Sequence, residues 1–199
     1  MNFLALLGWS PKDDTEIFSP QELVERFSLE AVNHSAAKFD ITKCRWVNQQ
    51  HIIALPPEEF AAKARPFCLQ AGLPDSGILN EAIATVQTKV QTLAEVPDKI
   101  RFFSHLSMDP EALAKVQPEA VELLSKLADR LEREPVWDGH ELIGVLKAFA
   151  KENGVKMGAV MFPARVALTG LSGGPDLSAV FSLLGKEESL KRIRAFSLN

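Results

Sequence analysis

From Val155 to Gly185 the chain reads VKMGAVMFPARVALTGLSGGPDLSAVFSLLG, two apolar segments joined by a glycine-rich elbow. This stretch restricts the fold more than any other. Val160, Met161, Ala164 and Leu168 recur at helical spacing in the first segment, with Pro163 restarting the helix part-way and one cation, Arg165, in its middle. The elbow Ser172-Gly173-Gly174-Pro175-Asp176 reads as a helix start, because glycine permits unusual dihedrals and proline is preset for the first helical position. Leu177, Val180, Phe181 and Leu184 then form one apolar face, which Gly185 closes as a C-terminal cap. The pattern brings an arginine close to the amide-rich start of a helix, an arrangement suited to an anionic or polar partner.

The rest of the chain reads as helices punctuated by caps. Met1–Trp9 is apolar with Phe3, Leu6 and Leu7 at helical spacing and no cap before it, so a preceding segment is expected in a parent protein. Ser19-Pro20-Gln21-Glu22 is a capping box before Leu23, Val24 and Phe27. Pro56-Pro57-Glu58-Glu59 opens a helix kinked near Pro66 and stopped by Gly72. The spacing of Leu79, Ile83, Val86, Val90 and Leu93 predicts the longest regular helix of the chain, with Lys89 on another of its faces. Further helices are expected after Pro97, Asp109, Gln117 and Asp138, the last stopping at Asn153-Gly154. A final one covers Glu187–Phe196, with Leu190 and Ile193 inside and Lys191, Arg192 and Arg194 outside. Neither an alternating strand nor a tandem repeat is evident; the expected class is mainly α.

At 199 residues the chain can form one domain or two with a sizeable core, and 46% hydrophobic with 24% charged residues is ordinary for a globular protein. No apolar run approaches the ~20 residues of a membrane span, and the start lacks the plan of a signal peptide. Cys44 and Cys68 have no metal-ligand spacing and read as two buried thiols in a reducing cytosol. The triplet Asn33-His34-Ser35 would matter as a glycosylation acceptor only in a secreted protein. A net charge of −4 argues against nucleic acid, yet residues 141–199 hold 8 basic and 5 acidic side chains, an excess of +3. Lys43, Arg45, Trp46 and Asn48 mix aromatic and basic character, which suits either an RNA-backbone contact or a partly buried tryptophan among solvated cations. Walker, GxGxxG, HExxH and GxSxG patterns are all missing.

Three sets of strings are similar to one family. RVALTG, GGPDL and LLGKEE resemble the C-terminal anticodon-binding region of bacterial glutamyl-tRNA synthetases. NFLALLGW, EIFS and KFDITKCRWVNQQHI resemble the segment after the signature lysine loop of those enzymes, and TLAEVPDKIRFF resembles their middle helical region. The order is that of the family across nearly the whole chain. The resemblance implies a helical anticodon-binding domain of two packed subdomains, residues 56–135 and 136–199, preceded by the end of a stem-contact domain at 1–55. It also implies a monomer in the cytoplasm, with glutamate tRNA as partner and a catalytic domain upstream. ATP and Mg2+ would serve that parent enzyme; no cofactor is expected in this chain. The histidine and lysine signatures of aminoacyl-adenylate chemistry are absent: His51-Ile52-Ile53-Ala54 lacks the glycine that lets backbone approach a nucleotide, and Ser125-Lys126 sits inside an apolar helix. No catalytic residue is expected, and no amino acid activation by the chain alone.

By the same resemblance Lys89 and Arg165 are the base-reading or base-adjacent cations, while Gly174, Pro175 and Leu177 line the pocket by backbone and apolar contact. The family's third anticodon base is a cytosine. Position 89 is most characteristically arginine in the family, and the single ammonium of a lysine cannot make a two-pronged contact. Alternatives stand beside each assignment: a solvated lysine at 89, a structural ion pair of Arg165 with Asp176 or Glu187, and a plain helix cap at 172–176. A helical protein–protein interaction module without RNA binding is the alternative for the chain as a whole.

Overall fold

The computed structural model describes residues 1–33 and 37–198, so the acceptor triplet beginning at Asn33 lies partly outside the described residues. Among the described residues every regular element is helical apart from a single antiparallel bridge between Trp9 and Val32. The helices are α1 (Asn2–Gly8), α2 (Pro20–Arg26), α3 (Ile41–Ile53), α4 (Pro57–Gln70), α5 (Leu79–Ala84), α6 (Val96–Ile100), α7 (Pro110–Leu113), α8 (Glu119–Glu132), α9 (Gly139–Glu152), α10 (Gly158–Thr169) and α11 (Leu177–Ala195).

Caps fix most of the boundaries. Ser19 and Glu22 form the reciprocal capping box of α2. Asp138 accepts from the amides of His140 and Glu141 to start α9, and Asp109 accepts from Glu111 to start α7. α11 breaks at Gly185, whose left-handed φ of 72° ends the first apolar face where the sequence places a C-cap.

Buried apolar side chains fall into three clusters. Trp9, Phe18 and Leu23 form a small one under α1 and α2. A second runs from Ile52 through Phe60, Ala64, Ile83, Val86 and Val90 to Ile100. The third and largest joins Phe102, Leu124, Leu127, Leu131, Leu142, Leu146, Val160, Leu168, Phe181 and Ile193, most of them from α8, α9, α10 and α11. Helix α8 therefore shares its core with α9–α11, and the expected division at 135/136 passes through this cluster; the apolar content changes hands between Ile100 and Phe102 instead.

Local geometry departs from the sequence expectations in several places. The long helix over residues 79–93 does not form: α5 ends at Ala84, and a 3-10 turn at Gln87–Lys89 and an extended Val90 follow. Thr85 bonds back to the Ala82 carbonyl at 2.6 Å, and Gln87 donates its side-chain amide to the carbonyls of Ile52 and Leu55 at 2.9 and 2.8 Å. These bonds compete with the helix ladder. Leu79, Ile83, Val86 and Val90 remain buried without it.

Helices α4 and α10 continue through Pro66 and Pro163, so Pro163 is an interior residue of one helix rather than the start of another. A proline there forfeits one ladder bond, which the apolar packing around buried Pro163 outweighs. Arg192 lies inside, not outside. Its side chain is 7% exposed, and its guanidinium donates to Glu188 and to the carbonyls of Phe102 and Leu168. Cys68 is buried and Cys44 only half-buried; both are free thiols.

Candidate nucleic-acid interface

The elbow is built by the end of α10 and the start of α11. Gly170 closes α10 with φ 73°, and a β-carbon there would stand 2.0 Å from the Ser107 carbonyl oxygen, so only glycine fits. Thr169 ties the exit: its hydroxyl donates to the Arg165 carbonyl at 2.8 Å and accepts from the Leu171 amide at 3.1 Å. Gly174, at φ 140°, then turns the chain toward Pro175.

Arg165 reaches this turn from α10. Its Nη1 donates to the Pro175 carbonyl at 2.6 Å. The side chain is half-buried, and burial pulls the guanidinium below its ordinary pKa against the opposing charge of Asp176. No carboxylate forms an ion pair with it among the described residues, so the alternative of a structural pairing with Asp176 or Glu187 is not what the side chain makes.

Lys89 approaches the elbow from the second apolar cluster. Its Nζ lies 3.3 Å from Asp176 Oδ1, with the lysine side chain 40% and the aspartate 74% exposed. Two cations far apart in sequence therefore meet at one turn. Asp176 occupies the N-cap position of α11 but makes no capping bond, so the first-turn amides of that helix have no side-chain cap.

Pro175 and Leu177 are both buried, Leu177 to 2% exposure within the large core. The expected apolar contact from the Leu177 side chain is therefore not on offer at the surface. What this part of the elbow presents is backbone, with Gly174 half-buried beside it.

Three amide side chains position Lys89, and sequence reasoning missed their role. Besides Gln87, Asn48 donates to the Gln91 carbonyl at 2.6 Å and Gln49 to the Thr88 carbonyl at 3.3 Å. The turn at residues 87–91 is thus strapped to α3. The only trace of this in the sequence is the amide run Asn48-Gln49-Gln50. On the same helix Lys43 stands 4.1 Å over the half-buried Trp46 ring and pairs with Glu16 at 2.5 Å. That cation is engaged within the protein, in line with the tryptophan-packing alternative.

Among the described residues no three His, Cys, Asp or Glu side chains are grouped to hold a metal ion. The chemistry the elbow offers is mainly donation: one ammonium, one guanidinium and the amides of a helix start. No helix among the described residues is long and apolar enough to cross a membrane.

Residues 59–197 match the family described as anticodon binding domain. The glutamate–tRNA ligase of Akkermansia muciniphila is 87% identical over 199 residues, covering 100% of this chain and 46% of that ligase. A glutamate–tRNA ligase of Thermus thermophilus is 36% identical over 197 residues, covering 96% of this chain and 42% of the ligase. Among solved structures, a glutamate tRNA ligase from Elizabethkingia meningosepticum in complex with its amino acid superposes with a TM-score of 0.80 at 28% identity, over 96% of this chain and 39% of that one. The chain thus spans less than half the length of these relatives, and none of them supports a protein–protein interaction module. It belongs to the anticodon binding domain family and matches the C-terminal, anticodon-binding portion of glutamyl-tRNA synthetases.

Proposed function

We propose that this chain recognises the anticodon of glutamate tRNA on behalf of a glutamate–tRNA ligase. The observation that carries the reading is the convergence of Lys89 and Arg165 on the uncapped start of α11. Unpaired anticodon bases are read on their splayed edges by a few donors and acceptors, while cations neutralise the flanking phosphates. Lys89 takes the base edge or phosphate nearest the elbow. Arg165 holds the turn and supplies positive potential from beneath. Gly174, Pro175 and Leu177 contribute backbone groups to the floor.

ATP, Mg2+ and aminoacyl transfer belong to a catalytic domain upstream in the parent ligase, and the chain acts in the cytoplasm as a monomer. By itself it activates no amino acid, so glutamate-dependent ATP–pyrophosphate exchange stays at background. The binding claim is tested by titrating the chain with a glutamate tRNA transcript at several salt concentrations. Affinity that falls steeply with salt and drops when the anticodon is replaced supports the reading. Affinity indifferent to both contradicts it.

A further inference from the structure

The Lys89–Asp176 pair raises a question that the binding reading leaves open: why an acid stands at the centre of a site for a polyanion. Asp176 is at the N-cap position, where an aspartate ordinarily accepts from the amides of the first turn. Here it makes no such bond, and its carboxylate is turned to Lys89 at 3.3 Å. Its charge also acts on Arg165. One carboxylate therefore stands beside Lys89 at the helix start, the position a phosphate would take if the elbow were a simple anion site.

We infer that Asp176 is a specificity-determining residue that makes the elbow a reader of base edges instead of a binder of phosphates. The inference rests on the proposed anticodon reading. A carboxylate only accepts hydrogen bonds. It repels a phosphate, which also only accepts, but it can take an exocyclic amine or imino N–H from a base. Lys89 beside it supplies the matching donor. Together they offer an acceptor and a donor a hydrogen-bond length apart, a pattern complementary to a Watson–Crick edge and useless to a backbone phosphate. An exposed pair of this kind is worth little by itself, so a base edge can insert between the two groups at small cost.

The test compares the wild-type chain with Asp176→Asn and Asp176→Ser in binding to the glutamate tRNA transcript and to a transcript with a replaced anticodon. Both substitutions remove the charge, and serine retains full capping ability. Thermal unfolding confirms that the variants fold. The inference expects both variants to bind the replaced-anticodon transcript about two- to fivefold more tightly, as loss of one exposed repulsive charge allows. The affinity ratio between the two transcripts should narrow, and the salt dependence should steepen by about 0.7, one added single-strand phosphate contact. Wild-type binding that is salt-dependent and anticodon-selective, with variants unchanged or weakened equally on both transcripts, overturns the inference while leaving the proposed function standing. Absence of salt-dependent binding in all three proteins overturns both.

Discussion

The Arg165 guanidinium donates to the Pro175 carbonyl at 2.6 Å, so the cation nearest the elbow is also the bond that holds the elbow's shape. Arg165→Ala should therefore lower stability and RNA affinity together. The unpartnered carbonyl of a buried residue makes the stability loss about 1.5 kcal/mol, read as a shift in the urea midpoint. A variant with full stability and lost binding would mean that the arginine only contacts RNA. Lost stability with intact binding would make it purely structural.

Lys89 offers one ammonium where a guanidinium would offer a planar fork. Lys89→Arg should raise discrimination at the third anticodon base, measured as the affinity ratio between transcripts differing only there. A well-formed two-pronged contact is worth about 1–3 kcal/mol of discrimination against a wrong base. An unchanged ratio would remove Lys89 from base reading.

Arg192 links the carbonyls of Phe102 and Leu168 while holding Glu188. Arg192→Met leaves those two acceptors without their donor and should cost about 2–4 kcal/mol in denaturant unfolding. The hydrogen bond from Arg192 holds the Glu188 carboxyl below the usual carboxylate range. A depressed folded-state pKa stabilises fully above the unfolded value and ceases to do so as pH falls through the folded one. Wild type should accordingly lose more stability than Arg192→Met on acidification through and below the ordinary carboxylate range.

Gly170 sits at φ 73°, with the Ser107 carbonyl oxygen where a β-carbon would go. Gly170→Ala should destabilise by more than ~2 kcal/mol, since backbone strain and a backbone clash combine. Gly144→Ala makes a direct control: it is exposed on α9 with nothing near its would-be β-carbon, and should stabilise by up to ~1 kcal/mol through helix propensity.

Much of this is legible in the sequence because it is written in local chemistry. Capping residues Ser19, Asp109 and Asp138 mark helix starts wherever they occur, and Gly185 marks its break by the same rule. The elbow is readable for that reason, as is the placement of Arg165 beside it. The region 79–93 misleads because its apolar spacing fits a helix, while the bonds that end the helix come from Gln87 reaching the carbonyls of Ile52 and Leu55, partners remote in sequence. Arg192 is expected outside because arginine is rarely buried; the carbonyls of Phe102 and Leu168 that receive it are again remote. Leu177 suits a pocket wall by resemblance, yet the amphipathic pattern of its own helix already places it in the core. Nothing local to position 89 shows that Lys89 meets Asp176; that contact is a product of how the second and third apolar clusters sit together.

The central claim is that Lys89, Arg165 and the turn into α11 form one surface for unpaired nucleotides. Its most direct test is amide chemical-shift mapping of the chain on adding the anticodon stem-loop of glutamate tRNA. The account predicts that the largest perturbations fall on the amides of Lys89, Gly174, Asp176, Leu177 and Ser178. Perturbations concentrated instead on the apolar groove of Leu4, Trp9, Leu23 and Phe27, or spread evenly over the basic side chains, would contradict it.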